Sequence, residues 1–157
     1  GESKYDNVRI GINARLDTIQ AAILLVKLDL LDEEIKKKNV LRERYDAVLK
    51  DMFATPIIPE GCTTSLAQYT ILTKSPEERA YLLEKMPKEG VPVMVYYQIP
   101  MHEQRAFTDL AYAPDDLPVC HDHSQRVLSL PMHAYMTEEE FEKITSTLLR
   151  LTKQARA

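Results

Sequence analysis

The sequence predicts a chain of the α/β or α+β class, in which a long N-terminal helix or helix pair leads into a small β-sheet covered by helices. Three observations predict it. Apolar residues from Leu16 onward recur at alternating steps of three and four, the spacing of a helix face. Short runs rich in β-branched and aromatic residues follow at Gln68 to Thr73, Val91 to Tyr97 and Val127 to Leu130, which is the composition of strands. Helix-start signatures at Ser75 and Thr137 alternate with those runs.

The first segment carries one stripe at Leu16, Ile19, Ile23, Val26 and Leu30 and a second at Leu24, Leu28, Leu31 and Ile35. A helix starting near Asn13 with two apolar stripes is buried on more than one side. That is more apolar surface than one small domain covers, so part of it is expected to meet another domain or subunit. The polar run Glu33 to Asn39 interrupts the spacing, which resumes at Leu41, Tyr45, Val48 and Met52. A bend or break is therefore expected near Lys36 to Asn39, and Pro56 and Pro59 end the segment.

After the first strand, Ser75 caps a helix with Pro76 at its first position and Glu77 and Glu78 in its first turn, an arrangement that suits the positive end of the helix. Its face is Leu82, Leu83 and Met86, and it stops before Gly90. Beyond the second strand, Val91 to Tyr97, come a loop with Pro100, a short helix around Glu103 to Leu110 and a stretch containing Pro114 and Pro118. Pro131 ends the third strand. Thr137 and Glu140 form a capping box for the last helix, whose buried stripe is Phe141, Ile144, Leu148 and Leu151.

With 157 residues and 45% apolar composition, the chain supports one core. The 20 basic and 24 acidic side chains give a formal charge of −4 and are spread along the chain, so there is no basic stripe to follow a nucleic-acid backbone. No apolar run reaches membrane-spanning length and no leader pattern opens the sequence, so it reads as soluble and cytoplasmic. Cys62 and Cys120 are far apart and read as two free thiols. The four glycines, at positions 1, 11, 61 and 90, leave no Gly-rich phosphate loop.

The segment Gly11-Ile12-Asn13-Ala14-Arg15-Leu16-Asp17 places an amide and a guanidinium just before a buried helix. Asn13 offers two N–H donors and Arg15 a planar fork, beside helix N-terminal groups that already favour an anion. The alternative is a helix cap at Asn13 and an exposed charge at Arg15. Cys120, His121, His123 and His133 fit no ordinary zinc spacing, so no metal is expected. Cys62 follows the turn Pro59-Glu60-Gly61 with no neighbouring base, which gives no support to a nucleophilic role.

The motif Gly11-x-Asn13-x-Arg15-Leu16-Asp17-x-x-Gln20-Ala21-Ala22, followed by Leu31-Asp32-Glu33 and Arg44-Tyr45, resembles the DegT/DnrJ/EryC1/StrS family of sugar aminotransferases. Tyr96-Tyr97-Gln98-Ile99-Pro100-Met101-His102-Glu103-Gln104 is similar to the family's Pro-x-His loop, and Ser124 to His133 to its late strand. Order and spacing agree over about Tyr5 to Leu151.

The resemblance implies a fold of the aspartate aminotransferase type and a pyridoxal-phosphate cofactor. It implies amino transfer, with glutamate the usual donor, onto a keto-sugar attached to a nucleotide, as in surface polysaccharide synthesis. It also implies a homodimer with shared active sites. Residues 1–55 would be interdomain or dimer helices and residues 56–157 the small C-terminal α/β domain. Asn13 would reach the cofactor phosphate in the partner's site, Arg15 would lie near anionic groups of the substrate, and Tyr97 and His102 would border the sugar-nucleotide site. The Gly-rich stretch and the Schiff-base lysine that precede the motif in the family do not occur here. The chain is therefore expected to be a piece of a longer protein and, alone, to lack activity and bound cofactor. Two rivals stand beside this reading: a sugar dehydratase of the same family, in which histidine replaces that lysine, and a non-catalytic dimerisation module.

Overall fold

The computed structural model describes residues 6–11, 15–110 and 112–156. Helix α1 runs Thr18–Leu49, followed by strand β1 (Tyr69–Leu72), helix α2 (Pro76–Lys88), helix α3 (Pro118–Arg126), strand β2 (Val127–Leu130) and helix α4 (Glu138–Ala155). Short 3-10 turns at Met101–Glu103, Arg105–Leu110 and Pro114–Asp116 fill the long connection between α2 and α3.

Helix α1 starts later than Asn13, because Asp17 is its cap: the Asp17 carboxylate accepts the N–H groups of Ile19 and Gln20 at 2.9 and 3.2 Å. It is also one helix. Of the bend or break expected near Lys36 to Asn39, the break does not occur: all 32 residues are continuous. The Glu33–Lys37 pair at 2.6 Å bridges one turn of the polar run. The Asn39 amide donates to the Ile35 carbonyl at 2.9 Å and to the Thr64 carbonyl at 3.1 Å, which fastens the helix to the following loop. Loss of apolar spacing there marks a change of surroundings. Ile19 is 73% and Val26 70% exposed, whereas Tyr45 and Leu49 are fully buried.

Strands β1 and β2 pair antiparallel, with Tyr69 opposite Leu130 and Leu72 opposite Val127. The expected strand over Val91 to Tyr97 reduces to one bridge, Met94 with Ser129, whose backbone bonds are 2.8 and 3.1 Å long. Pro92 has no N–H to give a ladder, and the backbone enters the left-handed region at Tyr97. A second bridge joins Ala54 to Leu72.

Helices α2 and α4 cover the sheet together with the second half of α1, and the core joins Tyr45, Leu49, Tyr69, Ile71, Leu82 and Leu148. Tyr45 and Tyr69 stack with centroids 4.7 Å apart. Their hydroxyls find acceptors, Tyr45 at the Pro131 carbonyl (3.0 Å) and Tyr69 at the half-buried Asp46 (2.6 Å), so burial of the rings leaves no orphaned donor. Burial pushes both phenols well above the ordinary tyrosine range, and the adjacent Asp46 carboxylate adds to the rise at Tyr69.

The expected helix ends are present. Ser75 accepts the N–H of Glu78, and α2 closes on Gly90 at φ +75, with Val91 N–H to the Met86 carbonyl at 3.0 Å and Gly90 N–H to the Pro87 carbonyl at 3.0 Å, a Schellman closure. Thr137 and Glu140 make the capping box of α4. At the far end of α4, Arg156 reaches back to the buried Glu78 at 2.6 Å.

Candidate functional site

Beside the sheet, the connection that follows α2, one side of α3 and the first residue of β2 enclose an open groove of about 420 Å³. Its walls come from three places in the sequence: Asn7; the loop Tyr96, Tyr97, Ile99, Pro100, Met101 and Gln104; and Cys120, His123, Ser124 and Val127. Helix α3 was not expected from the sequence. Its signals are Pro118 at the first helical position and the Asp122–Arg126 pair one turn apart, which holds the Asp122 carboxyl below its usual range.

Tyr97 is part of the groove wall. It lies at φ +56, a conformation that non-glycine residues rarely adopt and that surrounding structure must hold. The residue is 72% exposed. A flat, mostly apolar groove edged by an aromatic ring and a few polar groups is suited to stacking and hydrogen bonding of a ring-shaped ligand.

Gln104 closes the inner side. It is 3% exposed and both ends of its amide are used: Oε1 accepts the Asn7 N–H at 2.9 Å, and Nε2 donates to the Ile99 carbonyl at 3.0 Å. Neither Gln104, although it lies in the Tyr96 to Gln104 motif, nor Asn7 carries a role legible from the sequence. The Asn7 main-chain N–H and the Gln104 side chain meet across a separation of 97 residues, which no local pattern announces.

The residues singled out from the sequence fall in different settings. Asn13 lies outside the described residues. Arg15 is exposed, two residues before the Asp17 cap. Tyr97 lines the groove. His102 follows the groove residue Met101 without lining the groove. Its side chain is 6% exposed and meets Tyr112 edge-on at 6.2 Å. Its Nε2 is buried without a hydrogen bond, 3.4 Å from Glu103 Oε1, while the same oxygen contacts His121 Nδ1 at 2.8 Å.

A pyridoxal phosphate needs a lysine for its Schiff base, a partner for its ring nitrogen and a cradle for its phosphate. Among the described residues the groove presents neither lysine nor carboxylate, so they do not by themselves fit the cofactor. No cluster of three or more His, Cys, Asp or Glu suited to a metal occurs among them, and no helix there is long and apolar enough to cross a membrane.

Residues 1–149 match the DegT/DnrJ/EryC1/StrS aminotransferase family. The chain is 36% identical over 148 residues to a UDP-2-acetamido-2-deoxy-3-oxo-D-glucuronate aminotransferase of Pseudomonas aeruginosa, covering 94% of this chain and 40% of that protein. It is 28% identical to a dTDP-3-amino-3,6-dideoxy-alpha-D-galactopyranose transaminase of Aneurinibacillus thermoaerophilus, with 94% of this chain and 39% of the relative covered. Among solved structures, a DegT DnrJ EryC1 StrS aminotransferase from Brucella abortus superposes with a TM-score of 0.77 at 42% identity, over 97% of this chain and 40% of that one. The chain thus spans about 40% of the length of these relatives, and the fold is a segment of an aspartate-aminotransferase-like sugar aminotransferase. On the match over residues 1–149, this chain belongs to the DegT/DnrJ/EryC1/StrS aminotransferase family.

Proposed function

We propose that the chain is the C-terminal part of a cytoplasmic, pyridoxal-phosphate-dependent homodimeric aminotransferase that moves an amino group from glutamate to a nucleotide-linked 3-keto sugar. The observation that carries this reading is the groove built on the Tyr96 to Gln104 loop, in a chain 36% identical to an aminotransferase named for such a substrate. In this reading the cofactor is held mainly by protein outside these residues. Residues 1–55 link that part to the small domain, residues 56–157.

Asn13 is assigned to the cofactor phosphate of the partner's site and Arg15 to an anionic group of the substrate, where a planar fork suits a carboxylate or phosphate. Tyr97 offers its face to a ring of the substrate. His102 stands behind Met101, where the Glu103 carboxylate and His121 fix its surroundings. The exposed apolar first half of α1 supports the same assembly, because a surface of that kind in a soluble protein is normally covered by a partner.

The test uses the longer protein loaded with pyridoxal phosphate, UDP-2-acetamido-2-deoxy-3-oxo-D-glucuronate and [15N]glutamate. The expected result is 15N attached to the sugar, with 2-oxoglutarate formed in equal amount. Loss of water from the sugar without nitrogen transfer would support the dehydratase reading instead. Absence of both reactions, and of nucleotide-sugar binding, would leave the dimerisation module.

A further inference from the structure

We propose that Gln104 is a positioning residue of the nucleotide-sugar site, a buried clamp that sets segment 6–11 against the loop carrying Tyr97. The inference rests on the reading above, in which this groove receives the nucleotide-linked sugar.

The geometry is a two-point attachment. Gln104 Oε1 takes the Asn7 N–H at 2.9 Å, and the Ala106 N–H returns to the Asn7 carbonyl at 2.9 Å. On its other side, Gln104 Nε2 holds the Ile99 carbonyl at 3.0 Å. Turning the amide over would set acceptor against acceptor and donor against donor, so the network fixes its orientation. Arg105 and Asp6 approach to 3.4 Å beside it.

Asn7 and Tyr97 both line one groove, and this amide bonds the main chain of both segments. Asn7 is bonded to it directly. Tyr97 stands two residues before Ile99 and holds a left-handed backbone, φ +56, which persists only under constraint from its neighbours. The anchored Ile99 carbonyl is such a constraint. Segment 6–11 leads into the motif that contains Arg15, so Gln104 controls how the approach to that motif sits relative to the ring of Tyr97. Glutamine meets the need because it combines a donor and an acceptor at this reach. Glutamate loses the donor, asparagine is one methylene short, and methionine keeps the length with neither function.

The experiment compares full-length, cofactor-loaded wild type with Gln104→Met and Gln104→Glu. Steady-state kinetics with UDP-2-acetamido-2-deoxy-3-oxo-D-glucuronate and glutamate give KM for each substrate and kcat, and amide hydrogen exchange is followed by peptide. For Gln104→Met the expected result is a rise in sugar KM of about tenfold or more, since two buried hydrogen bonds are lost. The value of kcat at saturating sugar and the KM for glutamate should change by less than about threefold. Exchange should rise in segment 6–11 and stay unchanged in α4. Gln104→Glu should behave alike, because its carboxylate faces the Ile99 carbonyl without a proton to share. Unchanged exchange in segment 6–11 would overturn the clamp. Raised exchange with unchanged sugar KM, or an equal loss for both substrates with a lowered melting temperature, would overturn the positioning role. If wild type neither binds nor aminates this sugar or a dTDP-linked 3-keto sugar, the functional reading falls and the role with it. That failure is distinguishable, because the exchange comparison would still report the clamp.

Discussion

The long first stretch of α1 and its short last stretch have similar apolar content and opposite fates. From Thr18 to Val40 the helix leaves residues such as Ile19, Val26 and Leu28 mostly exposed, whereas from Leu41 to Leu49 it buries Leu41, Tyr45 and Leu49 under the sheet and α4. One unbroken backbone passes from one regime to the other. Periodicity therefore identifies a helix face and leaves open what covers it. An apolar surface of this extent is unusual on a chain that works alone. The chain spans about 40% of its relatives' length, and in the function proposed above this exposed stretch meets another part of the longer protein or its partner subunit.

The largest test of this contrast is truncation of apolar side chains in each stretch. Leu49→Ala, or Leu148→Ala in the facing helix, should cost about 2–5 kcal/mol in urea denaturation, as for other buried leucines. Ile23→Ala in the 157-residue chain should stay within about 0.5 kcal/mol, and in the longer protein it should approach the core values. Equal costs in the short chain would erase the distinction.

A second effect concerns association. The 157-residue chain should self-associate through its exposed stripe, and the pair Leu24→Lys, Leu28→Lys should weaken that association by about tenfold or more in sedimentation velocity, with the melting temperature unchanged.

Smaller effects come from the helix starts. Thr137→Ala should cost about 1 kcal/mol, because α4 is packed and its cap counts toward global stability. The backbone N–H of Thr137 holds the Glu140 carboxyl below the ordinary glutamate range. Its contribution is full above that range and disappears as pH falls through the lowered value. Glu140→Gln should flatten that part of the acid unfolding profile. The smallest effect is expected at Asp17→Ala: its cap serves turns that pack on little, so global stability should hardly change. Amide exchange over the first turn of α1 should nevertheless rise.

Much of this was legible in the sequence. Ser75-Pro76 and Thr137 with Glu140 announced their helices because capping is a local matter of side chain and nearby N–H groups. Val127 to Leu130, stopped by Pro131, announced its strand in the same way. The readings that failed depended on distant partners. Val91 to Tyr97 has strand composition, yet Pro92 and the backbone turn at Tyr97 leave one bridge. The polar run before Leu41 suggested a break, but Asn39 and the Glu33–Lys37 pair carry the helix through it. In the candidate site, Tyr97 was legible through its motif. Asn7 and Gln104 were silent because their bond joins two segments far apart in the chain.

In the proposed function, α1 begins at an interface and carries Arg15 into a neighbouring subunit's site. Subunit complementation tests this most directly. A full-length double variant, Asn13→Ala with Arg15→Ala, is mixed with a full-length variant lacking the Schiff-base lysine, under conditions shown to exchange subunits. Each parent dimer has two defective sites. If the motif serves the partner, a mixed dimer combines both defects in one site and leaves the other intact. The expected result is recovery of amino transfer on mixing, up to about one quarter of wild-type activity for random exchange with one working site in each mixed dimer. No recovery after verified exchange would contradict it, and would assign Asn13 and Arg15 to their own subunit.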